Sequence, residues 1–170
     1  LDSNVFAEGP VKGGGIIIGV RRSYLDTIVG PFVENDVPLP SYWDAQIRTS
    51  FGDSRYLGMF TPMVFTSIDR VASSAEGPNG EDNGVSVTSL FVRAAVPYLR
   101  TWDHYALRVV PWVGWNQLSF SGEGNNNDQH DTIRRPMVPG GIRSELLRDY
   151  PWGHLRGGID LNSGYLAQTE

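Results

Sequence analysis

Long stretches in which apolar side chains recur at every second position limit this chain more than any other feature. A period of two puts successive side chains on opposite faces of a β-strand, whereas a helix would repeat near 3.6. In Trp43–Phe51 the odd positions are Trp43, Ala45, Ile47, Thr49 and Phe51, and the even ones Asp44, Gln46, Arg48 and Ser50. In Ser89–Tyr98 the even set is Leu90, Val92, Ala94, Val96 and Tyr98. In His104–Phe120 the odd set runs Tyr105, Leu107, Val109, Pro111, Val113 and Trp115, and in His154–Tyr165 the apolar side holds Leu155, Ile159, Leu161 and Tyr165. Helical periodicity is scarce by comparison.

Four further segments alternate less cleanly. Gly14–Arg22 sets Ile16, Ile18 and Val20 against Arg21, and Met137–Arg148 sets Ile142 and Leu146 against Arg143 and Glu145. Arg55–Asp69 reads with Leu57, Met59, Met63 and Phe65 on its apolar side, although Phe60 and Val64 blur the contrast, and Asp2–Pro10 alternates weakly. The expectation is therefore eight strands. Their connections alternate in length. Short ones fall near Val11–Gly13, Gly52–Ser54, Leu99–Trp102 and Asp149–Trp152; long ones, rich in turn formers, are Ser23–Ser41, Val71–Gly84 and Ser121–Pro136. Pro62, Pro97 and Pro111 sit inside strand patterns and predict bulges or weak pairing, because proline has no ladder donor.

A meander with two unlike ends suits a bilayer, whose two sides differ. Outer-membrane barrels keep short turns on one side and long loops on the other. Inside hydrocarbon every backbone N–H and C=O must be paired within the protein, which neighbouring strands of a closed barrel achieve without a free edge. No apolar run is long enough for a spanning helix, but a spanning strand needs only about 9–11 residues, half of them apolar. Tyr98 and Tyr105 flank one short turn, Phe51 and Tyr56 another, where interfacial rings are favoured. The fold expected is all-β, an antiparallel up-and-down meander of about eight long strands forming part of a transmembrane β-barrel, with residues 1–170 as a single segment. Long alternating strands also build soluble sandwiches and barrels, so the alternative is a soluble or passive β-barrel or β-sandwich domain with a structural or glycan-binding role.

Composition narrows the function. The net charge of −5 speaks against a nucleic-acid partner, and without cysteine there is neither a disulfide framework nor a thiolate metal site. Lys12 is the only lysine; the other basic residues are arginines. Arg48, Arg93, Arg108, Arg143 and Arg156 lie mid-strand opposite the apolar sets, which makes them candidates for a wet, ligand-guiding lumen surface, since guanidinium pairs bidentately with carboxylate or phosphate. Glu145 and Asp160 share those polar faces. His104, His130 and His154 form no metal-ligand spacing, and no G-x-S-x-G elbow exists, so neither a metal site, a cofactor nor an enzyme is expected. Asn79–Gly84 is loosely like a calcium loop but has Leu90 where the bidentate Glu belongs; it and the cluster Asn125–Asp131 read as solvated loops. Gly13–Gly15 precedes a strand, not a helix, and so forms no phosphate loop.

The run Gly13-Gly14-Gly15-Ile16-Ile17-Ile18-Gly19-Val20-Arg21-Arg22-Ser23-Tyr24-Leu25-Asp26 resembles a strand and loop start of TonB-dependent outer-membrane receptors of the myxobacterial type. Tyr42-Trp43-Asp44-Ala45-Gln46 is similar to that family's next strand, and Phe65-Thr66-Ser67-Ile68-Asp69-Arg70 to the end of the one after. The likeness covers about residues 1–70. It implies a barrel of about 22 strands in a bacterial outer membrane, in contact with outer-membrane lipid, plugged at its N-terminus, energised by the TonB system and taking up a scarce, unidentified small ligand. The chain opens at Leu1 without an initiator Met or signal peptide, holds no plug, and stops just after an alternating segment, so it reads as part of a longer chain.

Overall fold

Alternation becomes strand almost throughout. The computed structural model describes residues 2–32, 37–76, 82–123 and 130–166. In chain order the strands are β1 (Asp2–Val11), β2 (Gly14–Ser23), β3 (Leu39–Asp53), β4 (Gly58–Phe60), β5 (Met63–Glu76), β6 (Asp82–Ala95), β7 (Tyr98–Trp102), β8 (Tyr105–Glu123), β9 (His130–Tyr150) and β10 (Gly153–Leu166). A short helix, α1 (Leu25–Val29), and a 3-10 turn at Gly30–Phe32 open the connection after β2. Every pairing is antiparallel, and the strands form one sheet.

The strands form eight passes rather than ten. β4 continues into β5 across Thr61–Pro62, and β6 into β7 across Val96–Pro97. Neither break is a bulge; of the two outcomes expected from the prolines, weak pairing is the one found. The β3 register runs unshifted from Phe51↔Phe60 to Arg48↔Met63, and the next pair from Met63↔Ala95 to Phe60↔Tyr98. A bulge would have added a residue on one side. The proline carbonyls stay in the ladder instead: Thr49 N donates to Pro62 O at 2.9 Å, Thr61 N to Pro97 O at 2.8 Å and Val96 N to Pro111 O at 3.1 Å. Only the return bond of each pair is missing, because proline has no N–H.

Three hairpins close through two residues, at Val11↔Gly14, Trp102↔Tyr105 and Tyr150↔Gly153, and a fourth through four residues, at Asp53↔Gly58. Gly13 (φ +80°) and Asp103 (φ +42°) supply the left-handed backbone that such tight turns need. All four lie at one end of the sheet. The longer connections lie at the other, and strand pairing reaches farther toward them than the sequence suggests. Ser121–Pro136 reads as a long connection, yet β8 runs to Glu123 and β9 begins at His130, because ladder bonds need no apolar side chains. The third short turn accordingly sits at 103–104, not at Leu99–Trp102.

One face assignment needs correcting. In β4–β5 the residues beside Phe51 and Ile47 are Phe60 and Val64. Phe60, Val64 and Ile68 therefore join the apolar face, while Met59, Met63 and Phe65 stand on the arginine face; Leu57 lies in the turn. Pairing with the neighbour decides the face where a strand's own contrast is weak.

The sheet is a single layer. Among the described residues no hydrophobic side chain is buried; the buried polar ones are Ser23, Thr61 and Ser67. The chain exposes 12399 Å², against roughly 8300 Å² for a compact monomer of its mass. β1 and β10 each have one strand neighbour, so both outer edges of the sheet are open.

Candidate functional site

Strand register sorts the side chains onto two faces, because directly paired residues point the same way. One row across the sheet reads Ala7, Ile18, Ile47, Val64, Ala94, Val113, Gly140 and Ser163. The face it belongs to is apolar on every pass. Its uninterrupted or nearly uninterrupted segments are Trp43–Phe51, Phe60–Ile68, Leu90–Tyr98, Tyr105–Trp115 and Val138–Leu146, nine to eleven residues each. Mid-sheet side chains here stand open, Ile47 at 41 %, Ile142 at 41 % and Val113 at 53 % exposure.

Arginines and rings bound this band at both ends. Toward the short turns Arg148 lies over the rings of Tyr105 (5.0 Å) and Tyr150 (4.5 Å), and Arg100 over Trp102 (5.8 Å). Phe60 packs on Tyr98 at 4.8 Å, Trp102 on Tyr105 at 6.0 Å, and Tyr150 on Trp152 at 5.0 Å. Toward the long connections Arg22 lies over Trp43 (4.8 Å) and Tyr24 (5.2 Å). Sequence reasoning missed Arg22, Arg100 and Arg148 as a group. The signal was available: each has the parity of its strand's apolar set, so a cation on the apolar face marks where that face ends.

The opposite face carries all five arginines singled out from the sequence, Arg48, Arg93, Arg108, Arg143 and Arg156. They are not gathered into one site. Arg108, Arg143 and Arg156 come together on β8–β10: Arg108 stands opposite Glu145, Arg143 opposite Asp160, and Arg143 pairs with Glu145 at 2.7 Å. A shallow trough of about 300 Å³ runs among Arg143, Glu145, Arg156 and Asp160. Arg48 is apart on β3, bordering a second trough with Glu8 on the far side of β2.

Arg93 is the most constrained of the five. Its Nη1 donates to Asn116 Oδ1 at 2.7 Å and to Val92 O at 2.9 Å, and its Cζ lies 5.6 Å from the Phe91 ring and 5.5 Å from Trp112. It can lie flat because Gly114 is opposite; a Cβ there would come within 2.7 Å of Arg93 Cδ and 2.8 Å of Cζ. Trp112 uses Gly141 likewise, where an added Cβ would fall 2.9 Å from the indole Nε1. Phe65, directly opposite Arg93, packs on Phe91 with ring centroids 5.3 Å apart. Phe65 was read on the wrong face, and Phe91 and Trp112 were not singled out, since aromatic residues on the polar face of an alternating strand look like noise until neighbouring strands are aligned.

At the long-connection end of β1–β3, Arg21 donates from Nε to Asp2 Oδ2 at 2.6 Å and from Nη2 to Tyr42 OH at 2.7 Å. The hydrogen bond and charge of Arg21 hold the Asp2 carboxyl below its ordinary range. His154 pairs with Asp149 at 2.6 Å beside the last short turn, and His104 lies exposed in the third. The side chain of His130 lies outside the described residues, as do most of the loop Asn79–Gly84 and the cluster Asn125–Asp131. Among the described residues no group of three potential metal ligands occurs. No family model, no curated protein and no solved structure matches this chain.

Proposed function

We propose that this chain forms part of the wall of a transmembrane β-barrel in a bacterial outer membrane, with its apolar face against lipid and its arginine face toward a wet interior. The observation that carries the reading is the constant height of the apolar band. Successive hairpins are staggered by two residues. Gly14 pairs with Phe51, yet the next turn closes two residues farther on, at Asp53. Met59 pairs with Leu99, which sets Gly58 level with Arg100, and closure again comes two residues on, at Trp102. Tyr105 pairs with Arg148, and the last hairpin closes at Tyr150. A shift of one residue per strand means a tilt of about 35° if the turns share a plane, from a rise near 3.4 Å and a strand spacing near 4.8 Å. At that tilt nine to eleven residues span about 22–28 Å, the height of the outward apolar band of membrane barrels, and the tilt falls at the edge of their range. A single layer with no apolar side chain buried among the described residues fits a wall whose greasy side is covered by lipid, because each large aliphatic side chain left in water forgoes about 1.5–3 kcal/mol.

The native chain has no cysteine, so single-cysteine labelling is clean. With the protein folded in lipid vesicles, a fluorophore at Val64, Val113 or Ile142 should be quenched by lipids carrying quenchers in their acyl chains. The same fluorophore at Gln46 or Arg108 should respond to a water-soluble quencher. Water-soluble quenching at both sets would return the chain to a soluble or passive domain.

The uptake half of the proposal, an energised TonB-dependent receptor for a scarce ligand, is supported by the resemblance over about residues 1–70 and by the arginine face. It is tested by comparing solute depletion from the medium by cells with and without the gene, each with and without a protonophore. Depletion of a solute that needs both the gene and the proton gradient is expected. Equal depletion in all cultures would remove the uptake role and leave the wall.

A further inference from the structure

We propose that Arg93 is the centre of a binding station for a small organic anion whose carboxylate is joined to a flat apolar body. The inference rests on the arginine face being the wet one. Among the paired arginines, Arg21 is neutralised by Asp2 and Arg143 by Glu145. Arg93 is held by a neutral amide and a carbonyl, both on Nη1, which leaves Nε and Nη2 without a protein acceptor among the described residues. Its positive charge is thus fixed in place but not cancelled. Fixing matters because an arginine loses considerable rotamer entropy when it binds, and here folding has already ordered it.

The surroundings define the rest of the ligand. Phe91 and Trp112 meet the guanidinium with their ring faces, where the quadrupole attracts a cation and repels an anion. An incoming carboxylate must therefore approach along the outer N–H edge of Arg93, where it can accept two parallel bonds. The body attached to it then lies beside Phe65 and Phe91, whose rings pack on each other next to Arg93. Gly114 keeps the guanidinium low; a methyl group there leaves the charge but lifts it off its two rings.

Benzoate is the probe. The ¹⁵Nε–H signals of the arginines would be followed in micelle-folded protein during titration with sodium benzoate, sodium chloride and benzyl alcohol, the Arg93 signal being assigned through Arg93→Lys. A saturable shift at Arg93 with benzoate is expected, with little movement for chloride or benzyl alcohol. Gly114→Ala should weaken the benzoate response about tenfold while retaining the arginine. Absence of a saturable shift at Arg93, or equal shifts at Arg48 and Arg108, would show a purely structural brace and overturn the proposal. A fluorophore at Gln46 reports separately on whether this face meets water. If it does while benzoate leaves Arg93 unmoved, the station alone fails; if it does not, the reading of the two faces fails first.

Discussion

At Gly58 the backbone takes a φ of +102°, and the Tyr98 ring lies where a side chain would start. The Tyr98 hydroxyl donates to Leu57 O at 3.0 Å, so the ring ties down the turn that Gly58 permits. Gly58→Ala brings both a left-handed backbone penalty and a collision, and should cost about 1–2 kcal/mol in urea unfolding from lipid. Adding Tyr98→Ala should recover part of that loss, because the collision disappears while the backbone strain remains. Full additivity would mean that the ring does not lie over the glycine. Asp2 carries a different expectation. Its lowered pKa means that the folded chain favours the carboxylate, so its contribution is complete above the ordinary aspartate pKa and is lost as pH falls through the lowered one. The pair with Arg21 is solvent-exposed, so Asp2→Asn should leave stability at neutral pH nearly unchanged and remove only the acid-side slope of that site. An acid titration of both proteins, followed by circular dichroism, measures the difference.

Among the elements, the passes that carry Pro62, Pro97 and Pro111, two of them interrupted and β8 continuous, each lose a ladder donor. Pro62, Pro97 and Pro111 each accept a bond and cannot return one, so three narrow pairs on adjacent passes are half made. The amides of Thr49, Thr61 and Val96 should exchange with deuterium faster than those of Ile47 or Ala94, whose pairs are complete. Equal protection would mean that the missing donors are replaced by something else. Sequence periodicity located all eight passes, because alternation is a property of single strands and needs no partner. It could not say where pairing stops: Gly122 and Ile133 read as part of the long connection Ser121–Pro136 but lie in β8 and β9. It also misread the apolar side of Arg55–Asp69, where Phe60 and Phe65 compete and only alignment against Phe51 and Ile47 decides. The candidate arginines were legible for the same reason as the strands, through parity. The ring frame around Arg93 was not, since Phe91, Trp112 and Gly114 come together only through the β6–β8 register.

For the whole molecule, the two unlike faces and the stagger are separate constraints that lead to the same orientation. The apolar band says which side is to be covered, and a soluble partner layer would satisfy it as well as lipid. The stagger says more. A shift of two residues per hairpin is a shear, and in a closed sheet shear and strand number together fix the tilt. With one residue of shear per strand the tilt is about 35° whatever the number of strands, because both enter only as their ratio. Upright strands would set the four short turns at steadily different depths, about 7 Å apart per hairpin, and would carry Tyr105 and Tyr150 far below Phe51. Tilted strands bring the turns, the bounding rings and Arg100 and Arg148 to one level, which an interface between hydrocarbon and water requires. Polarised infrared spectroscopy of the protein in oriented bilayers measures this through the amide I dichroism. Strands inclined at about 35° to the membrane normal are expected. Strands lying in the membrane plane, or no preferred orientation, would mean that the apolar face is covered by protein rather than lipid.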